Sequence, residues 1–253
     1  MSDGAPLLLL FLLVFLGLWL LNYAVYNKRP AVVLRRIAGY DLIRNAMAEA
    51  AEDGRPVHLS LGTAGIADLN SMQTVAALSA LEYLSEQSFV STNTPLVTMA
   101  DPTTLLLAQD IAVRPFEDSG RLPQFEPRTV RFMGGSGELA VSAYTAGVLD
   151  LLDRRAVAAN FLLGHFGDEC VVIGEEAARH AIPQVAGSGS PAALSLMALT
   201  ADHLLIGEEL FAAGAYLSRR PWQVSGLLAQ DSARWIVIGL VGVVVVLKTL
   251  GLT

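Results

Sequence analysis

The chain has a single cysteine, Cys170, and only two lysines, Lys28 and Lys248, in 253 residues. One thiol cannot form an intrachain disulfide, so nothing in the covalent framework argues for an oxidising compartment. Without a lysine between Lys28 and Lys248 there is no P-loop, which excludes Walker-type nucleotide hydrolysis. Histidine is scarce too. His58 and His203 sit in strand-like runs and His180 beside one, where they read as satisfied structural residues, and no G-x-S-x-G elbow or cysteine partner accompanies His165. No catalytic set and no metal-ligand set is recognisable. Charged residues make up 16% of the chain, whereas 53% is hydrophobic and the mean hydropathy is +0.49, more than an ordinary soluble domain carries.

Part of that apolar content is gathered at the two ends. Residues 5–26 (APLLLLFLLVFLGLWLLNYAVY) run for 22 residues without a charge, and a helix of that length spans roughly 30 Å of hydrocarbon. Asp3 before it, the long apolar core and Tyr23 and Tyr26 at its end read as an anchor rather than a cleaved signal peptide. Residues 235–253 (WIVIGLVGVVVVLKTLGLT) form a second expected transmembrane helix, in which Lys248 snorkels to the far interface.

Between these ends the charge is polarised. A basic juxtamembrane segment, 27–44, and a juxtamembrane linker, 219–234, together hold eight basic and two acidic side chains (8 − 2 = +6), while 45–218 holds eight basic and twenty-one acidic ones (8 − 21 = −13). Lys28, Arg29, Arg35, Arg36, Arg219, Arg220 and Arg234 are the expected membrane-surface residues, attracted to anionic headgroups by about 1 kcal/mol each when well placed. By the positive-inside rule, domain 45–218 is expected on the cytoplasmic side of the cell membrane, with both termini outside. Its acidity argues against nucleic acid as a partner.

Residues 45–218 alternate short β-like runs with helical stretches. Strands are expected at 57–61, 95–100, 129–133, 157–163, 182–186 and 203–206, with helices at about 68–86, 138–152, 168–179, 191–200 and 208–217, and Asp101 followed by Pro102 marks a further helix start. Ala158-Ala-Asn-Phe-Leu-Leu163 is apolar on nearly every residue, as a parallel strand covered on both faces is. The expected fold is α/β: a Rossmann-like three-layer sandwich with a mostly parallel sheet of about five or six strands, flanked by N- and C-terminal transmembrane helices. Cys170-Val-Val-Ile173 is β-like in composition, yet unit spacing requires a helix there. Residues 115–127 read as a proline-rich interaction loop exposing Phe116 and Phe125.

In such a sheet ligands sit outside the carboxyl ends of the strands. Two loops there, Gly134-Gly135-Ser136-Gly137 and Gly187-Ser188-Gly189-Ser190, each precede a helical pattern and contain G-x-G-x-x-A, the context in which backbone N–H groups hold phosphate. Two readings stand: a nucleotide or phosphometabolite site, or tight βα turns. His165 and Asp168 share another strand-end loop and complete the candidate ligand-binding set. The sequence requires no cofactor. Ile173-Gly-Glu-Glu176 and Ile206-Gly-Glu-Glu209 form a small internal echo, with glutamates suited to the first turn of a helix.

At Gly54-Arg-Pro-Val-His58, Thr129-Val-Arg-Phe132 and residues 205–217 (LIGEELFAAGAYL) the chain resembles a family of uncharacterised prokaryotic membrane proteins, classed as a domain of unknown function, with an anchor at each end of an α/β domain. The resemblance covers most of the chain and implies this architecture; it brings no activity, cofactor or catalytic residue. The favoured reading is a membrane-anchored, non-enzymatic α/β domain that self-associates into a homo-oligomeric assembly, since Ala140, Ser142, Ala143, Ala146 and Gly147 give one helix a small-residue face. A ligand-binding protein or enzyme using the glycine and serine loops, and a module recruiting a protein partner, are the alternatives.

Overall fold

The computed structural model describes residues 5–28, 34–91, 93–134, 139–154 and 157–250. The chain divides into two compact units, residues 36–217 and a unit made of the two ends, 1–35 with 218–253. In the first unit the elements run α2 (Ala38–Asp53), β1 (His58–Gly62), α3 (Ser71–Ser91), β2 (Leu96–Met99), α4 (Pro102–Asp118), β3 (Val130–Phe132), α5 (Ala140–Arg154), β4 (Asn160–His165), α6 (Glu169–Arg179), β5 (Gln184–Ser188), α7 (Pro191–Met197), β6 (His203–Ile206), α8 (Glu208–Phe211) and α9 (Ala213–Leu217). The six strands form one all-parallel sheet in the order β3-β2-β1-β4-β5-β6, so the α/β expectation holds.

Strand periodicity divides the core. Leu59, Leu61, Val97, Met99, Phe161, Leu163, Val185 and Leu205 point to one face, where α2, α3, α4, α8 and α9 cover them. Leu96, Leu162 and Ala186 point to the other, under α5, α6 and α7. β1, at the middle of the sheet, is buried at every residue, as a strand covered on both sides must be.

Local chemistry explains most element ends. Asp101 caps α4, its Oδ1 accepting from Thr103 N–H at 2.8 Å and Thr104 N–H at 3.3 Å, with Pro102 filling the position that has no donor to lose. Cys170-Val-Val-Ile173 is helical despite its β-branched content, because Cys170, Ile173 and Ala177 then fall on one buried face. The expected loop at 115–127 needs correction. α4 continues through Pro115 to Asp118, and Phe116 is buried, edge-on to Phe89 at 5.4 Å and 5.5 Å from Phe125. The aromatic pair that gave this segment its interaction-loop reading is internal packing.

The second unit contains α1 (Ala5–Lys28) and α10 (Pro221–Thr249), which pack on each other. Trp19 Nε1–H donates to the Trp222 carbonyl at 3.2 Å, and Asn22 Nδ2–H to the Leu18 carbonyl at 2.9 Å. Leu8–Lys28, 21 residues, and Pro221–Thr249, 29 residues, are long and apolar enough to cross a membrane. Their apolar windows are uncovered by the rest of the chain, unlike those of a soluble protein's core helix. α10 takes in residues 221–234, which composition alone had placed in a linker.

Candidate functional site

The strand order reverses direction between β1 and β4, and the loops that leave those two strands diverge to opposite faces of the sheet. In a doubly wound sheet this switch point is where a ligand crevice opens. Here the two strand ends are sewn together. Thr63 N–H donates to the His165 carbonyl at 2.9 Å, and the register slips between Ser60 and Gly62 so that Gly62 lies opposite His165. Both strands turn on glycine, Gly62 at φ 81° and Gly164 at φ 139°. A Cβ on Gly62 would lie 2.2 Å from the His165 carbonyl oxygen, and one on Gly164 would lie 2.4 Å from that of Leu61. The approach is backbone against backbone, which no side chain tolerates.

Asn70, in the turn just before α3, and Gln73, in its first turn, then lie across the mouth. Gln73 is buried, and its Oε1 accepts from Ser188 Oγ–H at 3.0 Å and Gly189 N–H at 2.8 Å. That fixes the amide: its NH2 is the group turned toward His165, 3.5 Å from Nδ1. Asn70 Nδ2 lies 3.4 Å from the other ring nitrogen, Nε2. Ser188 Oγ accepts from Ser190 N–H at 3.2 Å, and Ser190 Oγ from Ala193 N–H at 3.4 Å. The donors of the Gly187–Ser190 loop that would cradle a phosphate are thus engaged by the chain itself.

Of the residues singled out in the sequence, the structure brings Ser188, Gly189 and His165 together around Gln73. Gly187 lies in β5, packed against Leu205. Asp168 parts from His165: it stands before the first turn of α6 without capping it and lines, with Glu169, Val141, Ser142, Thr145 and Val172, a separate hollow of about 380 Å³ between α5 and α6. Gly134 follows the end of β3, three strands away from β4, and a Cβ there would lie 2.1 Å from the Ala100 carbonyl oxygen. Gly135, Ser136 and Gly137 lie outside the described residues, as does Arg29.

Lys28 ends α1, Arg35 lies ahead of α2, Arg219 adopts φ 52°, and Arg220 precedes α10. Arg36 pairs with Asp41 at 2.5 Å; hydrogen bonds from Arg36 and Arg44 hold the Asp41 carboxyl below the usual range. Arg234 pairs with Asp231 at 3.4 Å. The two Gly-Glu-Glu echoes are not equivalent: Glu176 lies inside α6, whereas Glu209 Oε2 accepts from Ile206 N–H at 3.1 Å at a strand-to-helix turn.

A polar chain runs beneath α5 and α6 on the face of the central strands. Gln184 NH2 donates to the carbonyls of Gly174 at 2.9 Å and Thr200 at 3.1 Å, which leaves its Oε1 to accept from Asn160 NH2 at 3.1 Å. Asn160 Oδ1 in turn accepts from His58 Nδ1–H at 2.7 Å, and His58 Nε2 accepts from Thr98 Oγ–H at 2.9 Å. Tyr144 OH bonds Ser60 at the far end, and burial pushes its pKa up. Burial pushes the imidazole of His58 down to about 4, so it is neutral, and the chain is fully enclosed. It orders the sheet and offers no entry to a substrate. The residues that composition did not reveal, Asn70 and Gln73, have one signal in retrospect: amides just before and within the first turn of the helix after a strand-end glycine.

No curated protein matches the chain, and no solved structure does. A family model described as Domain of unknown function (DUF6754) matches residues 4–253, almost the whole chain. The two apolar terminal helices, the six-stranded parallel sheet between them and this match agree, and the chain belongs to the DUF6754 family.

Proposed function

We propose that the chain is a two-anchor membrane protein whose α/β domain, on the cytoplasmic side, self-associates into a homo-oligomeric assembly and carries no catalysis of its own. The supporting observation is how the carboxyl edge of the sheet is spent. Its hydrogen-bond donors are engaged by Gln73, and the surface beside them is apolar. Leu69 is 103% exposed, Met72 65% and Leu106 71%, with Val75 and Leu107 beside them. The loop that carries Leu69 is tied to the start of α4, where Ile66 N–H donates to Thr103 Oγ1 at 3.2 Å, and Leu106 and Leu107 lie one turn beyond Thr103 on the same side of α4.

A grouped apolar surface of this kind marks a contact. The occupant is a second copy. The domain carries −13 over residues 45–218, and contact through apolar side chains brings two acidic copies together with few carboxylates facing, Asp68 beside Leu69 being held by the Gly65 N–H at 2.7 Å. Two anchors hold every copy at the same height above one surface, which favours an isologous pairing of like patches.

The test is native mass spectrometry of the full chain released from mild detergent, beside sedimentation at several concentrations. A discrete oligomer is expected, converted to monomer by Leu69→Glu with Leu106→Glu while the melting temperature holds. A wild-type monomer throughout refutes self-association; an oligomer untouched by the double substitution refutes this patch. A stoichiometric small-molecule adduct on a monomer would favour the ligand-binding reading instead.

A further inference from the structure

We infer that Asp153, Glu176 and His180 form a divalent-cation site, of zinc type by its donors, at the amino edge of the sheet, the edge opposite the crevice. Among the described residues these are the side chains of metal-ligating type that converge, with donor atoms all within 4.8 Å of one another. The group is not a mere concentration of carboxylates, because its centre is an imidazole nitrogen. His180 Nε2 lies 3.1 Å from Glu176 Oε1 and 3.7 Å from Asp153 Oδ1. With bonds of about 2.0–2.2 Å, a tetrahedral zinc ion separates its ligand atoms by about 3.4 Å and an octahedral ion by about 3.0 Å. The observed distances bracket the tetrahedral edge.

The backbone pre-organises this arrangement. Glu176 and His180 are four residues apart and share one side of α6, while Asp153 comes from the last turn of α5, which packs alongside. α6 closes with paired bonds, Ile182 N–H to the Ala177 carbonyl and Ala181 N–H to that of Ala178, both at 3.0 Å, with Ala181 at φ 53° in the position usually held by glycine. That closure holds His180 at the end of the helix, facing Asp153. Arg179 Nη1 lies 3.4 Å from Glu176 Oε2, which orients the carboxylate so that Oε1 is the oxygen turned to the imidazole.

Three protein donors leave at least one coordination position open. Asp153 and His180 also line a hollow of about 520 Å³, with Glu49, Arg55 and Arg154 on its walls, large enough for water or a small anion. The sequence placed His180 as a structural residue and the glutamates of the echo as helix-dipole partners. Asp153 lies 23 residues from Glu176, so the chelate exists only once α5 and α6 are packed.

The test uses tag-free full chain in mild detergent, stripped with a chelator and titrated with zinc by calorimetry and with cobalt(II) by visible absorption. One equivalent per chain is expected, with the intense cobalt bands of a four- or five-coordinate N/O site. His180→Ala and Glu176→Gln should each weaken binding by at least about 100-fold, whereas His165→Ala should leave it unchanged. Absence of saturable uptake by the wild type overturns the inference and leaves an ordinary His–carboxylate pair, as does uptake that survives both substitutions. Melting curves of the metal-free variants establish that they are folded, and the wild-type cobalt spectrum stands independently of them.

Discussion

His58 makes the α/β domain sensitive to mild acid. Its ring is fully enclosed, with Nδ1 2.7 Å from Asn160 Oδ1 and Nε2 2.9 Å from Thr98 Oγ1, both of them neutral groups. A second ring proton would bring a charge without a counter-ion into the core. Burial accordingly lowers the folded pKa to about 4 from 6.5. Above pH 6.5 the imidazole is neutral in both states and this group adds no pH dependence. Between 6.5 and 4 only the unfolded chain takes up the proton, so stability falls as the pH is lowered. Below 4 both states are protonated and the loss levels off. At about 1.36 kcal/mol per pH unit, the 2.5 units between 6.5 and 4 amount to about 3 kcal/mol. For a domain of this size that is a fall of roughly 6–12 °C in melting temperature. The assay is thermal unfolding of the full chain in mild detergent from pH 7 to pH 4, with His58→Gln, whose amide does not ionise, run in parallel. The carboxylates titrate alike in both proteins, so the difference between the curves isolates His58. Parallel curves, or an NMR titration placing the folded His58 near 6.5, would refute the reasoning.

Two further substitutions probe the crevice. Gly62→Ala places a methyl against the His165 carbonyl at positive φ and should cost at least about 2 kcal/mol, whereas Gly54→Ala, at φ 67° with open space around it, should cost about 1 kcal/mol; equal losses in chemical denaturation would show that the close approach is not what selects glycine. Gln73→Leu leaves the Ser188 hydroxyl and the Gly189 N–H without their acceptor and should destabilise by about 1–3 kcal/mol, with Gln73→Glu, which keeps that acceptor, retaining most of the stability; indistinguishable melting curves for the two would assign Gln73 no bridging role.

Much of the architecture is written locally. Charge-free terminal runs, the Asp101–Pro102 helix start and the apolar β4 run each carry their own instructions, because hydrophobic periodicity and capping act over a few residues. Pro115 and Phe116 show where such reading fails. Proline and an unpaired aromatic suggest a loop, but Phe89, 27 positions earlier in the chain, gives Phe116 a partner and α4 continues. The strand-end glycines are similar. Their presence is visible in the sequence, but whether they face phosphate or a neighbouring carbonyl depends on how closely β1 and β4 approach.

What the sequence by itself determined is therefore the membrane-suited ends, the alternation of strands and helices, and the absence of a P-loop or disulfide. All follow from composition and from periods shorter than a helical turn or two. Only the tertiary structure decided that Gln73 engages the Gly187–Ser190 loop, that His165 lies beside Gln73 while Asp168 lines the hollow between α5 and α6, and that Asp153 meets Glu176 and His180. Each of these depends on side chains from separate elements coming within about 4 Å, a distance set by packing around the sheet and not by spacing along the chain.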